Sequence, residues 1–327
     1  AHLRSRAVFS NTPPTNAYRS SGRPEIIYCL ERMVEEVANK YGFDPIALRR
    51  RNLVREDEMP YRNAVGMVYD SGKYEKSLDM AIINNDWDGF AARQADAKSR
   101  GKLLGRGVAH YVESSIGTPV EQTQLHVKGE ERRIDLVIGT QPSGQGHETS
   151  FAQVAAEWLG LPVADVNVIV GDTDIVKIGG GSHSGRSMRM AGTVIVKASD
   201  ILIEKGKRLA EIVLEASVAD IEFSDGAFRV SGTDYSVDLY TLDRESRTRA
   251  DLPEDLAGGL SVIESNEMHT PVFPNGCHIC EVEIDEDTGV VEISRYAAVD
   301  DVGRAINPLI VDGQTHGGIV QGVGQAM

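Results

Sequence analysis

The sequence predicts an α+β fold: two interleaved or adjoining, related subdomains of mainly antiparallel sheet packed with helices. Three observations carry that expectation. Alternating apolar and polar runs are joined by hairpin signals at Asp225-Gly226 and at Asp287-Thr288-Gly289. Helical periodicities fall between those runs rather than in a separate block. Twice, a strand pattern runs into a glycine-rich turn and then a helix. No fixed-period repeat is present. The expected division is 1–100, a loop and helical segment; 101–220, with both glycine loops; and 221–327, the remainder.

In chain order, residues 11–22 are rich in Pro, Ser, Asn and Gly and predict a loop. Pro24 suits a first helical turn, and Ile26, Leu30, Met33, Val34, Val37 and Ala38 follow at helical spacing up to Gly42. Phe151 and Leu159, Cys29 and Trp158 also read as core positions. Asp44-Pro45 caps a short helix through Leu48, and a helix is expected around 74–92. Strands are expected at 103–113, 121–128 and 132–139, with Gln122, Gln124 and His126 alternating against Thr123, Leu125 and Val127. The first glycine turn, Gly139 to His147, precedes a helix carrying Phe151, Val154 and Ala155 on one face. A strand at 166–170 leads to Gly171-Asp172-Thr173-Asp174. The second glycine turn, Gly179 to Gly185, feeds a long helix from 186 to 217. Hairpins at 221–230 and 277–299 and a Gly-rich helix from Pro308 complete the chain.

Composition narrows the function. The 327 residues carry a formal charge of −15, which argues against a basic nucleic-acid footprint. The 3 cysteines cannot by themselves supply the thiolates of an iron–sulfur cluster. No run of about 18 apolar residues is present to span a membrane. Few cysteines and a start without a signal-peptide core predict a cytoplasmic protein. The absence of an initiator Met and the apolar, Gly-rich finish at Val320 to Met327 lead us to expect a piece of a longer chain.

Glycine is in excess, 33 residues, and seven of them sit in the two turns. A strand, a glycine turn and a helix N-terminus make an anion site, because exposed backbone N–H groups and the helix dipole converge on it. Gln145, Ser182 and Ser184 add uncharged donors, and Arg186 could pair a phosphate bidentately. Such a site suits a diphosphate-bearing cofactor, though glycine after a strand often makes only a tight turn. Neither turn has Rossmann or Walker spacing.

A family resemblance sharpens this. Gly144-Gln145-Gly146-His147-Glu148-Thr149 resembles the cofactor loop of molybdenum hydroxylases, the aerobic carbon monoxide dehydrogenase-like, xanthine dehydrogenase and aldehyde oxidase group. Ala17 to Glu25, Gly171 to Asp174, Gly181 to Ser187, and Asp300 through Gln325 resemble further segments of its large subunit, in the same order. The resemblance implies a fold of the molybdopterin-binding type and a molybdopterin cofactor with Mo, as the cytosine dinucleotide. It implies an Fe-S small subunit and an FAD medium subunit as partners, in a dimer of heterotrimers. The activity it implies is oxidative hydroxylation of a small substrate with oxygen from water, form II carbon monoxide dehydrogenase-like. It assigns cofactor contacts to Gly144, Gln145, Gly146, His147, Gly181, Ser182, Ser184, Arg186 and Ser187, and to Gln314, Gln321 and Gln325. Arg19 falls in the loop that orients substrate, and the general-base glutamate of the family lies outside these residues. Ser20-Ser21 stands where copper-dependent members carry a cysteine, and a hydroxyl is a poor Cu(I) ligand. Two other readings stay open: a non-catalytic cofactor-binding or subunit-interaction module, and a binder of an ordinary dinucleotide.

Several motifs have plainer readings. Cys277-His278-Ile279-Cys280 reads as an alternating strand rather than a metal pair, and no protein metal site is expected. Asp172 and Asp174 read as loop caps, and His147 as a turn or cap residue. Glu281 to Asp287 reads as a solvated acidic hairpin, and Arg49-Arg50-Arg51 as an exposed helix end.

Overall fold

The computed structural model describes every residue except Ala1, Leu3 and Thr15. In chain order the elements are α1 (Arg23–Tyr41), α2 (Pro45–Asn52), β1 (Tyr61–Arg62), β2 (Val68–Tyr69), α3 (Tyr74–Asn85), α4 (Phe90–Ser99), β3 (Lys102–Val112), β4 (Val120–Lys128) and β5 (Arg133–Ile138). They continue with α5 (His147–Leu159), β6 (Val166–Ile169), α6 (Ser187–Leu214), β7 (Ile221–Ser224), β8 (Ala227–Val230), β9 (Ser236–Asp238), α7 (Leu239–Thr248), β10 (Ser261–Glu267), β11 (Asn275–Asp285), β12 (Val291–Asp301) and α8 (Pro308–Ala326). Among the described residues all strand pairings are antiparallel except β5 with β6. The expected α+β class holds.

The chain forms two compact units, each discontinuous in sequence. The first comprises Ala1–Ser115, Pro271–Arg304 and Val323–Met327, the second Ile116–Thr270 and Ala305–Gly322. The boundaries expected at 100 and 220 do not coincide with these units. β3 pairs along its length with β11, far downstream, and the chain passes 220 inside the second unit. Long-range strand pairing, invisible to local pattern, sets the division.

In the first unit, sheet β12-β11-β3 presents Val108, Cys277 and Ile279 to Leu78 and Ala81 of α3 and Ile46 of α2. Cys277 lies on this buried face, where burial pushes its thiol up to about 12, and Cys280 on the other. The alternating-strand reading of that motif fits. α2 begins as expected at Asp44, whose Oδ1 accepts the Ala47 N–H at 2.7 Å. The helix expected at 74–92 instead breaks at Asp86, which takes a left-handed φ of 52° and ends α3.

Further expectations for the first unit need correction. The apolar stripe of α1 is not core: Leu30 is 51% and Met33 56% exposed, and Cys29 is exposed with them. Only Ala38 of α1 is fully covered. Arg49 is not a solvated helix end. It is 5% exposed and donates from Nε to Glu31 at 2.7 Å and from the guanidinium to Glu35 and the Val108 carbonyl, each at 3.3 Å. Glu281 is likewise buried, in a two-pronged pair with Arg93 at 2.7 and 2.9 Å. An internal partner makes burial of each charge tolerable. The remainder of the acidic hairpin is exposed or partly so, with Asp285 accepting the Thr288 N–H at 2.8 Å.

The second unit is built on the sheet β10-β4-β5-β6, with α5 and α6 packed on one face. β4 alternates as predicted, with residues 121, 123, 125 and 127 inward. β9, α7 and β10 had no clear local signature. α6 crosses β8 so closely that a Cβ on Gly206 would lie 2.2 Å from the Phe228 ring. Trp158, expected in the core, is half exposed because its indole N–H reaches Asp200 at 2.7 Å. Phe151 and Leu159 are fully buried as expected.

Candidate functional site

Both glycine turns belong to the second unit. The first follows β5 and ends at Gly146, the N-cap of α5. The second ends at Arg186, where α6 begins. They meet backbone to backbone. A Cβ on Gly139 would sit 2.2 Å from the Gly179 Cα, and one on Gly179 would sit 2.3 Å from the Gly139 Cα. Glycine is therefore required at both positions by close approach. Gly144 (φ 108°) and Gly181 (φ 73°) instead face open space, with nothing within 4 Å of the Cβ direction.

Hydroxyl and amide groups lace the turns together. The buried Thr140 Oγ donates to Ser187 Oγ at 2.7 Å, Ser187 and Ser182 hydroxyls share a bond of 2.8 Å, and Gln145 Nε2 donates to Ser182 at 3.3 Å. Gln145 Oε1 accepts the Ser143 N–H. The Ser184 hydroxyl bonds His183 Nδ1 at 3.1 Å, and Ser184 itself takes a left-handed φ of 51°. His147 opens α5. Its ring stacks on Phe151 at 4.9 Å and is buried, with Nδ1 lacking a hydrogen-bond partner. Burial holds its imidazole below the usual histidine range, despite the opposing pull of Glu148.

Arg186 differs from its expected role. It is 1% exposed and turned inward, with Nε donating to the Thr118 carbonyl at 3.0 Å and the terminal nitrogens to Glu121 (2.8 Å), Gly181 O (2.6 Å) and Val120 O (2.9 Å). A guanidinium so engaged does not present a fork to an incoming phosphate. Sequence reasoning missed its partner Glu121, along with Thr140 and His183. The available signal for Glu121 was parity, since it shares the inward phase of β4 with Thr123, Leu125 and Val127.

The front of α8 lies beside the first turn. Asn307 caps it by accepting the Ile310 N–H at 3.1 Å and donates to Gln153 of α5 at 2.9 Å, while Ile310 stands 3.0 Å from the Cβ direction of Gly146. Gln314 and Gln321 follow on this helix, half-buried, whereas Gln325 belongs to the first unit and is exposed. Arg19 also belongs to the first unit, exposed, in a turn where Ser20, Ser21 and Gly22 take successive φ values of 68°, 45° and 87°. The Ser21 N–H bonds the Tyr18 carbonyl at 2.7 Å, and Arg23 pins the turn through Glu113 at 2.9 Å. Non-glycine residues in this region cost about 1–3 kcal/mol each and persist where surroundings enforce them. The Asp172 carboxylate caps its own loop through the Asp174 N–H at 2.8 Å.

Residues 81–327 match the molybdopterin cofactor-binding domain profile, and residues 1–53 match a second profile of the same description. The chain belongs to the molybdopterin cofactor-binding domain family. Among relatives, it is 32% identical to the carbon monoxide dehydrogenase large chain of Hydrogenophaga pseudoflava, over 100% of this chain and 42% of that one. It is also 32% identical to the nicotine 6-hydroxylase large subunit of Paenarthrobacter nicotinovorans, over 97% of this chain and 40% of that one. The quinoline 2-oxidoreductase structure from Pseudomonas putida 86 superposes with a TM-score of 0.81 at 31% identity, over 91% of this chain and 40% of that one. The chain therefore spans about two-fifths of these relatives' lengths.

The family's cofactor can be tested against the residues present. The open faces at Gly144 and Gly181, the neutral donors Gln145, Ser182 and Ser184, and the orphaned His147 Nδ1 are what a phosphate-bearing pterin requires of a protein. The residues fit. Among the described residues, no group of three or more His, Cys, Asp and Glu side chains is placed to hold a metal ion, and no helix is long and apolar enough to cross a membrane.

Proposed function

We propose that the two glycine turns hold the phosphate-bearing portion of a molybdopterin cofactor, in its cytosine dinucleotide form. The observation that carries this is the joining of the turns across Gly139 and Gly179, with Gln145 reaching Ser182. Backbone N–H groups at Gly144 to Gly146 and at the start of α5 supply positive potential without a basic side chain. That matters on a chain of net charge −15, where no long-range field would gather an anion. Gln145, Ser182 and Ser184 give orientation through uncharged donors. Ser187 fixes Ser182 and Thr140, and Gln314 and Gln321 line up along the helix that starts beside the first turn. The neutral His147 keeps one ring nitrogen for a ligand group.

When bound, the molybdenum centre supplies two-electron oxidation of a small substrate, with water as the oxygen source. Arg19, on its constrained turn, orients substrate or stabilises developing negative charge. Ser20 and Ser21 offer only hydroxyls, so the reading does not extend to a copper-dependent reaction. We further propose that the parent protein is a form II carbon monoxide dehydrogenase-like large subunit. It works in the cytoplasm with an Fe-S small subunit and an FAD medium subunit, as a dimer of heterotrimers. The relatives' names, a large chain and a large subunit, support a multisubunit assembly.

The test is Gln145→Ala with Ser182→Ala in the parent protein, matured in a competent host. Molybdenum and cytidine nucleotide content should both fall well below wild type. Unchanged content would contradict the assignment of the turns.

A further inference from the structure

We propose that Glu121 is a positioning residue that sets the spacing of the two cofactor turns, acting through the Gly139 and Gly180 amides and through Arg186. The proposal rests on the cofactor reading above and adds to it the residue that holds the cradle in register.

Glu121 lies on β4, on neither turn, and is 0% exposed. Its Oε1 accepts the Gly139 N–H of the first turn at 3.1 Å. Its Oε2 accepts the Gly180 N–H of the second turn at 3.3 Å and the Arg186 guanidinium at 2.8 Å. One carboxylate thus grips both turns where their backbones touch. Arg186 completes the clamp by donating to the Gly181, Thr118 and Val120 carbonyls. Gly180 belongs to it too, since a Cβ there would lie 2.6 Å from the guanidinium carbon.

The electrostatics follow from the burial. Two opposite charges taken out of water survive only with close geometry and every remaining hydrogen-bonding position filled. Here the carboxylate takes two amides and a guanidinium, and the guanidinium takes three carbonyls. The pair is internally neutral, so it fixes the turns without competing for, or attracting, a phosphate. The cradle then binds an anion through N–H groups and neutral side chains alone, in an orientation that Glu121 imposes.

The experiment uses the purified, cofactor-loaded parent protein and follows release of cytidine nucleotide and molybdenum during gel filtration and mild warming. A melting curve of each variant reports folding separately. Glu121→Gln keeps the shape but removes the charge. Release should accelerate about tenfold or more, the scale seen when groups that orient first ligands are lost. If Arg186 were itself the phosphate ligand, Glu121→Gln would free its charge, and release would slow or stay unchanged. Either result overturns the proposal.

Should Glu121→Gln fail to fold, Gly179→Ala separates the turns without contacting the charge pair, because its Cβ would meet the Gly139 Cα at 2.3 Å. It too should release cofactor faster, and wild-type retention would refute the coupling of spacing to binding. A wild-type parent carrying neither molybdenum nor cytidine would instead overturn the cofactor reading itself.

Discussion

At the scale of single residues, this chain buries several charges, two of them, Arg49 and Glu281, in segments that its sequence marks as surface. Arg49, Arg186, Glu121 and Glu281 are all buried, each with an opposite charge within 2.8 Å or less. Strand parity signals this for Glu121, but no local pattern does so for Arg49. Arg49-Arg50-Arg51 at the end of a helix reads as solvated because its partners Glu31 and Glu35 come from α1 and the Val108 carbonyl from β3. Stripping one member of a buried pair leaves an uncompensated charge. Arg49→Ala should therefore cost about 3–5 kcal/mol, whereas Arg51→Ala, on the exposed side, should cost less than about 0.5 kcal/mol. Urea denaturation of the two variants checks this, and equal losses would show that the burial of Arg49 carries no energy. The site residues divide in the same way. The placement of Gln145, Ser182, Ser184 and Ser187 on glycine turns was legible from sequence, and the structure links Gln145, Ser182 and Ser187 by hydrogen bonds. The partners of Glu121 were not legible, because they lie on two turns 18 and 59 residues away in sequence.

At the scale of elements, most helices and strands could be read from period and punctuation. Gly42 and Gly160 end α1 and α5 in the left-handed conformation, as a glycine after an apolar run should. What could not be read is which apolar stripe is covered. The stripes of α1 and α6 have the same spacing, yet α6 is buried from Met190 to Ala210 while α1 leaves Ile26, Leu30 and Met33 in the open. Periodicity reports that a face is apolar, and only the tertiary arrangement reports what lies against it. Replacing Leu30 or Met33 with Glu should accordingly change the stability of this 327-residue chain by under about 0.5 kcal/mol and reduce its self-association. Leu78→Ala, at the centre of the first unit, should cost about 2–5 kcal/mol. Light scattering and denaturation measure both, and a large loss at Met33 would mean that the stripe is packed after all.

At the scale of the whole molecule, two discontinuous units carry histidines that folding keeps neutral. His110 in the first, and His126 and His147 in the second, are each pushed below the ordinary value of 6.5, in every case chiefly by burial. Below that value the unfolded chain binds more protons than the folded one, so stability is full above it and falls as pH drops through it. The urea midpoint should therefore decline between about pH 7.5 and about pH 5.5, and His147→Gln should flatten that decline. A midpoint that rises on acidification would contradict the buried-neutral assignment. The function proposed above asks net acidity and glycine turns to work together, with an anion bound by local geometry rather than by bulk charge. The direct test of that claim is the molybdenum and cytidine nucleotide content of the parent protein, purified from a host that makes the cofactor. The account predicts both in stoichiometric amount, released together on denaturation. Fully folded parent protein with neither would contradict it.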